Sequence, residues 1–346
     1  MAFRIRSADL LRDRTFLIEF FRKYLTPNSD THRFDWLYLQ NPGGTARVWL
    51  VENLDTEESI GAAASFPRRF YVRGRESLGF VLGDFCIHPG FRSLGPAIQL
   101  QRTCIQGMDS NAPAIGYDFP SESMLAVHRR LGAQPEDRLV RFAKPLRTDR
   151  KVAGRVKLPF VARAVSAAGN QMLKWRDRRW RYSRREVIGQ HNGPCGREFT
   201  TLATKVSLQH EVCLARTAEY LNWRYLANPL QKFEFLTVRH NEDLAAYLVL
   251  TQEGEDARIM DLFGEEDLGM LGGLISHAIE LLRTRGVITV SAPLLASHRW
   301  GRLFERLGFS KRDSCPVITY PVAGCSTDNR ARHHTGWFLM EGDRDS

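Results

Sequence analysis

Apolar and polar positions along the chain change period several times, and each change marks a new element. Residues near Ser7–Tyr24 repeat at helical spacing, and a second, short helical stretch centres on Trp36. Strand-like runs follow at 46–52, 59–66 and 68–73, the last two reading as a hairpin that turns at Pro67. A long strand near 79–88 leads through a glycine-containing loop into a helix over Ala97–Met108. A strand near 113–118, a helix over 122–131 and a strand near 138–144 close the series. This order predicts an α/β (α+β) fold, with a mixed, mostly antiparallel sheet flanked by helices.

The same marks then recur. Phe34-Asp35-Trp36-Leu37-Tyr38-Leu39-Gln40-Asn41-Pro42 matches Leu221-Asn222-Trp223-Arg224-Tyr225-Leu226-Ala227-Asn228-Pro229 at Trp, Tyr, Leu, Asn and Pro. Each stretch precedes a strand-like run, and each half later holds a helix ending in Arg-Leu-Gly, at Arg130-Leu131-Gly132 and Arg306-Leu307-Gly308. The first anchors lie 187 residues apart and the second 176, as a lost loop would leave them. One copy of such a pattern is an ordinary helix stop. Two copies in the same order predict a duplication. The expected division is 1–145, a connector at 146–190, and 191–346.

Composition narrows the class. With 346 residues, 43% hydrophobic and 25% charged, the chain is an ordinary globular one, not disordered, collagen-like or coiled-coil. No apolar run is long enough for a membrane span, and charges from Arg4 to Arg14 interrupt the apolar region a secretory signal needs. The six cysteines (Cys86, Cys104, Cys195, Cys213, Cys315, Cys325) show no C-x-x-C spacing and read as free thiols with no metal site. A cytoplasmic location is expected, with peripheral contact to the inner membrane an option raised by the connector. The net charge of +10 is uneven: Arg141–Arg185 holds fifteen Lys/Arg and two acids, so arguments about anionic partners belong to that segment.

The stretch most informative for chemistry is Asp84-Phe85-Cys86-Ile87-His88-Pro89-Gly90-Phe91-Arg92-Ser93-Leu94-Gly95-Pro96-Ala97. A strand ends in a Pro-Gly turn, and a helix opens on small residues. Unpaired N–H groups and the positive end of the helix dipole make such a start an anion cradle. Gly95 and Ala97 allow close approach of a phosphate, Pro96 suits a first helical turn, and Arg92 adds a fixed charge. The stretch resembles motif A of the GNAT acyltransferase superfamily, Arg/Gln-x-x-Gly-x-Gly/Ala, through Arg92, Gly95 and Ala97.

The resemblance implies acetyl-CoA as acyl donor. The pyrophosphate would bind the loop Arg92, Ser93, Leu94, Gly95, Pro96 and Ala97, and the pantetheine arm would pair with the strand at Cys86 and Ile87. It also implies two GNAT-like domains. His128 stands where the family often carries a tyrosine that protonates the leaving thiolate; a histidine can transfer a proton near neutral pH. Asp84 is the first candidate for general base and Asp118 the second, with salt-bridged structural acids as the alternative for both. Cys86 lacks a neighbouring base in sequence, which argues against covalent catalysis. The second half carries Glu265-Glu266-Asp267 where the first has its cradle, and Phe304 in place of His128. It reads as a degenerate copy.

Taken with the ending Gly336-Trp337-Phe338-Leu339-Met340-Glu341-Gly342-Asp343, the chain resembles tandem GNAT proteins encoded with bacterial polysaccharide-assembly enzymes. That implies N-acetylation of an amine, such as an amino sugar on a nucleotide- or lipid-linked precursor. The alternatives are an aminoacyl-tRNA-dependent peptidyl transferase of the FemAB-like type and a non-catalytic scaffold. In the connector, Phe160, Val161, Ala164, Val165, Ala168, Met172 and Trp175 form a helical stripe, followed by interleaved cations and aromatics up to Tyr182. Three readings are open: a helix packed between the halves, an anionic membrane contact over 158–185, or RNA binding.

Overall fold

The computed structural model describes residues 2–92, 94–107, 115–177, 187–320 and 336–344. The first half runs β1 (Phe3–Ser7), α1 (Arg14–Tyr24), α2 (Thr31–Phe34) with a turn of π-helix at Asp35–Leu39, β2 (Arg47–Asn53), β3 (Ser59–Val72), β4 (Arg75–Ile87), α3 (Leu94–Gln106), β5 (Ile115–Asp118), α4 (Glu122–Arg130) and β6 (Asp137–Pro145). Two helices follow, α5 (Asp149–Ala153) and α6 (Pro159–Asp177). The second half runs β7 (Val187–His191), α7 (Arg197–Ser207), β8 (Val212–Leu214), α8 (Ala218–Leu221) with a π-turn at Asn222–Leu226, β9 (Glu234–His240), β10 (Asp243–Glu253), β11 (Asp256–Gly264), α9 (Leu268–Thr284), β12 (Thr289–Leu295), α10 (Gly301–Arg306), β13 (Ser310–Tyr320) and β14 (Trp337–Phe338).

Up to β13, and apart from β8, the second run repeats the first element for element. Both π-turns follow a capped short helix: Asp30 accepts from the Arg33 N–H and Thr217 from the Tyr220 N–H. Both Arg-Leu-Gly helices end on a glycine with φ +86, the left-handed cap position that glycine adopts without strain.

One mixed sheet carries both halves, in the order β1-β2-β3-β4-β5-β13-β6-β12-β11-β10-β9-β7. Only β4 with β5 and β11 with β12 run parallel along this path. The order reads the same from either end except that the last strands are exchanged. β6 leaves its own half to pair with β12, and β13 pairs with β5. β6 and β13 pair with each other in the middle, so neither half presents a sheet edge there. The two anchor tryptophans meet across this centre. Trp36 Nε1 donates to the Trp223 carbonyl (2.8 Å), Trp223 Nε1 to the Trp36 carbonyl (2.9 Å), and the rings stack at 5.2 Å.

Two expectations are corrected. The first helix begins at Arg14, and the preceding Phe3–Ser7 forms an edge strand on β2, with Phe3 and Ile5 packed toward α3. Residues 59–72 form one strand, and the hairpin turns at Arg73-Gly74, not at Pro67. Pro67 is tolerated because its carbonyl, and with it its nitrogen, faces away from β4; the carbonyl accepts from Asn41 there (3.0 Å). On that side β2 has already ended opposite Ser65.

The segment 336–344 packs on the second half, with His210 and His298 under it. Their rings lie 4.8 and 5.2 Å from that of Phe338. Burial pushes their pKa values down, to about 4 for His210 and about 3 for His298. The unfolded chain binds these protons near pH 6.5, so stability rises with pH up to about 6.5 and is lost on acidification below it. Urea unfolding at pH 5 against pH 7 should show a loss of roughly 2 kcal/mol per histidine. The His210→Phe variant should lose correspondingly less.

Candidate active site

β4 and β5 pair only at Gly79–Val81 with Ile115–Tyr117; beyond that they part. Among the described residues no strand pairs with β4 residues 82–87 on that side, leaving a gap open toward the strand ends. The backbone facing it can be assigned. His88 N–H donates to the Ile60 carbonyl (2.8 Å), so the neighbouring Gly61–Ile87 pair is the non-hydrogen-bonded kind, and Ile87 turns its N–H and C=O away from β3. The Ile87 carbonyl accepts from Arg92 Nε (3.2 Å), which ties the cradle loop to the strand. Ile87 thus presents backbone to the gap, whereas Cys86 spends its backbone on β3 and buries its side chain. Burial pushes the Cys86 thiol up to about 11, which keeps it protonated at neutral pH.

α3 begins beside this gap. Pro96 and Ala97 are buried in its first turn, and Gly95 is exposed. A Cβ added at Gly95 would meet no described protein atom within 4 Å. Among the described residues nothing demands a glycine there. Ser93 and the Leu94 side chain lie outside the described residues.

Asp84 occupies a β-bulge. One β3 residue, Ala63, stands opposite both Asp84 and Phe85, and Asp84 takes φ +44. Its carboxylate is buried on the α1 side and paired at both oxygens with the Arg33 guanidinium (2.8 and 2.8 Å), while Tyr38 Oη donates to Oδ2. Burial, reinforced by the Asp84 charge, pushes the Tyr38 phenol up and keeps it a donor. Of the two arrangements expected for Asp84, a free general base or a salt-bridged structural acid, the structure has the second: a buried two-point ion pair at the bulge. Arg33 and Tyr38 escaped sequence reasoning, because they approach Asp84 from the helical stretch before β2.

The other two candidates come together on the α3–α4 face. His128 is wholly buried, and its Nε2 lies 2.6 Å from Asp118 Oδ2. In the tautomer with the proton on Nε2, facing the Asp118 carboxylate, Nδ1 is the acceptor. The hydroxyl of Tyr320, on β13, lies 3.0 Å from Nδ1 and donates to it. Burial pushes the Tyr320 phenol well up, so it holds its proton at neutral pH. Gln101 on α3 is buried against Tyr320, and its side chain hydrogen-bonds the Tyr320 hydroxyl. Tyr320 could not be found by sequence reasoning about the first half, since the exchanged strand brings it from the second.

No family model and no curated protein matches the sequence. Solved structures match the whole arrangement. A GCN5-related N-acetyltransferase from Anabaena variabilis superposes with a TM-score of 0.65 at 14% identity, over 94% of this chain and 74% of that one. A probable N-acyltransferase from Enterococcus faecalis gives 0.64 at 11%, over 93% and 73%. Saccharomyces cerevisiae N-myristoyltransferase with bound myristoyl-CoA gives 0.59 at 13%, over 97% and 89%. The chain has a GCN5-related N-acetyltransferase fold.

Within this fold the two halves differ at the gap between their parallel strands. β11 and β12 also part, beyond Arg258 and Ser291, but the segment 336–344 fills that gap. The Leu262 N–H donates to Met340 Sδ (3.2 Å), and Met340 bridges to Leu294 on β12. Arg216, wholly buried, holds the segment by pairing with both Asp261 on β11 and Asp343. Asp267 caps α9 by accepting from the Met270 N–H (3.0 Å), so a carboxylate already occupies that helix start. Phe304 takes the place of His128 and stacks on Phe142 of β6 at 5.8 Å, and β12 carries no acid.

Proposed function

We propose that the chain is an acyltransferase that moves an acetyl group from acetyl-CoA to an amine, using the first half alone. The observation that carries this reading is the contrast between the two halves of one fold. In the first, the gap is free of any described strand, the Ile87 N–H faces it, and Asp118 ends the strand across it. In the second, the segment 336–344 fills the gap and Phe304 stands in place of His128. The two halves are read as two GNAT-like domains, 1–145 and 191–346, joined by 146–190 and exchanging their last strands. An amino sugar of a polysaccharide precursor is the proposed acceptor. That choice rests on the resemblance of the sequence.

Arg92 and the first turn of α3 would hold the donor's pyrophosphate, with Gly95 giving it room, and the Ile87 N–H would polarise a carbonyl in the gap. The thioester supplies an activated acyl carbon. Tyr320 then serves as the proton handle. It takes the proton released by the attacking amine while its own passes to His128 Nδ1, and Asp118 stabilises the imidazolium so formed. Returning that proton through Tyr320 to the departing thiolate restores the resting state, with one proton moved from amine to thiol.

Titration calorimetry with acetyl-CoA and free CoA tests the reading. One saturable site per chain is expected, and Gly95→Glu should abolish it by placing bulk and negative charge in the cradle. That variant has room to fold, because the added Cβ meets no described protein atom. Failure of the native chain to bind either compound, or unchanged affinity in the variant, removes the acyl-CoA site.

A further inference from the structure

The helix that follows the first half is built inside out. Ser166, Gly169, Asn170 and Asp177 of α6 face the protein: Asn170 accepts from the Thr148 N–H (2.7 Å) and donates to Asp149 (3.1 Å), and Asp177 pairs with Lys144 (2.7 Å). The apolar stripe faces outward. Phe160 is 72% exposed, Met172 70% and Trp175 60%, with Leu158 and Val165 also exposed. The helix meets both halves through Asp177, which pairs with Lys144 of β6 and Arg283 of α9, and the exposed stripe takes no part in that packing. A surface helix ordinarily turns such residues inward. Lys151, Arg155, Lys157, Arg163 and Lys174 are exposed on or beside the same helix. The acids bounding the stretch, Asp149 and Asp177, are engaged by Arg147 and Lys144.

We propose that α6 docks this face on an anionic lipid bilayer, lying in the interface plane with its apolar side chains among the headgroups and upper acyl chains. Two features select a membrane over other occupants. An RNA would match the charge but leave Phe160, Val165 and Met172 in water. A second copy of the chain would match the apolar stripe but set five cations against five. An anionic bilayer accepts both at once: the stripe enters the interface and the cations meet the headgroups. Among the described residues no helix is long and apolar enough to cross the membrane, so attachment would be peripheral and reversible.

Co-sedimentation of the full chain with phosphatidylcholine vesicles, with and without phosphatidylglycerol, tests this. Sedimentation is expected only with the anionic vesicles, and high salt should release the protein. Arg163→Gln with Lys174→Gln should weaken partitioning about fivefold per cation removed. The triple variant Phe160→Ser, Met172→Ser and Trp175→Ser should lose binding even at low salt. All five positions are exposed, so folding should survive. Absence of sedimentation, equal sedimentation with neutral vesicles, or undiminished binding by the triple variant each overturns the proposal. So does a nuclease-sensitive nucleic acid, or a dimer, that the triple variant abolishes while vesicle binding is absent. Acyl-CoA titration of the same variants should be unchanged, which separates failure of this surface from failure of the proposed catalytic site.

Discussion

Replacing Tyr320 by Phe should lower kcat for acetyl transfer by about 10²–10⁴-fold while leaving the Kd for acetyl-CoA unchanged. The substitution removes one oxygen and keeps the ring against Phe80, 5.7 Å away, so packing survives. What is lost is the hydroxyl 3.0 Å from His128 Nδ1. His128→Gln should give a loss of similar size, and the double variant should lose little more than either single one, because the two act as one relay. The wild-type pH profile of kcat should show a limb that both variants lack; a purely structural Tyr320 would leave that limb in place. The fold itself does not ask for these polar groups. At the matching site of the second half, Phe304 and Phe142 pack against each other with no acid on β12. Buried polar groups are harder to satisfy than apolar ones, which is why an Asp-His-Tyr chain at one copy of a repeated site points to chemistry there.

Arg33→Met should destabilise the chain by about 3–5 kcal/mol, because it leaves the Asp84 carboxylate buried without its counter-ion. Asp84 sits at φ +44 in the bulge, so the unpaired charge would be released by loosening the strand that borders the gap. Urea unfolding should show the loss. Adding Asp84→Leu to the Arg33→Met variant should recover much of it, since a neutral pair of similar size carries no desolvation penalty. If instead the single variant is as stable as the native chain, the ion pair is not what locks the bulge.

Much of this was legible from the residues alone. The period of apolar positions gave most elements, because burial on one face imposes a period of two on strands and near 3.6 on helices. The recurrence of Trp-x-Tyr-Leu-x-Asn-Pro and Arg-Leu-Gly exposed the repeated element order, since caps and stops are set by a few local residues. The helix start beside Arg92, Gly95 and Ala97 was legible for the same reason: it is a local feature. Three acids and Phe304 marked the second half as different before any coordinate was known.

The tertiary structure decided what depends on distant partners. A carboxylate reads alike in sequence whether it is free to take a proton or locked by a guanidinium, and only the approach of Arg33 and Tyr38 showed which Asp84 is. Pro67 looked like a turn because proline lacks a ladder donor, and the missing donor proved harmless only where β2 stops. The direction of the α6 stripe was set by what the rest of the chain left uncovered. Above all, the exchange of β6 and β13 brought Tyr320 to His128 across 192 residues. Periodicity specifies which face of a strand is buried, but not which strand lies beside it.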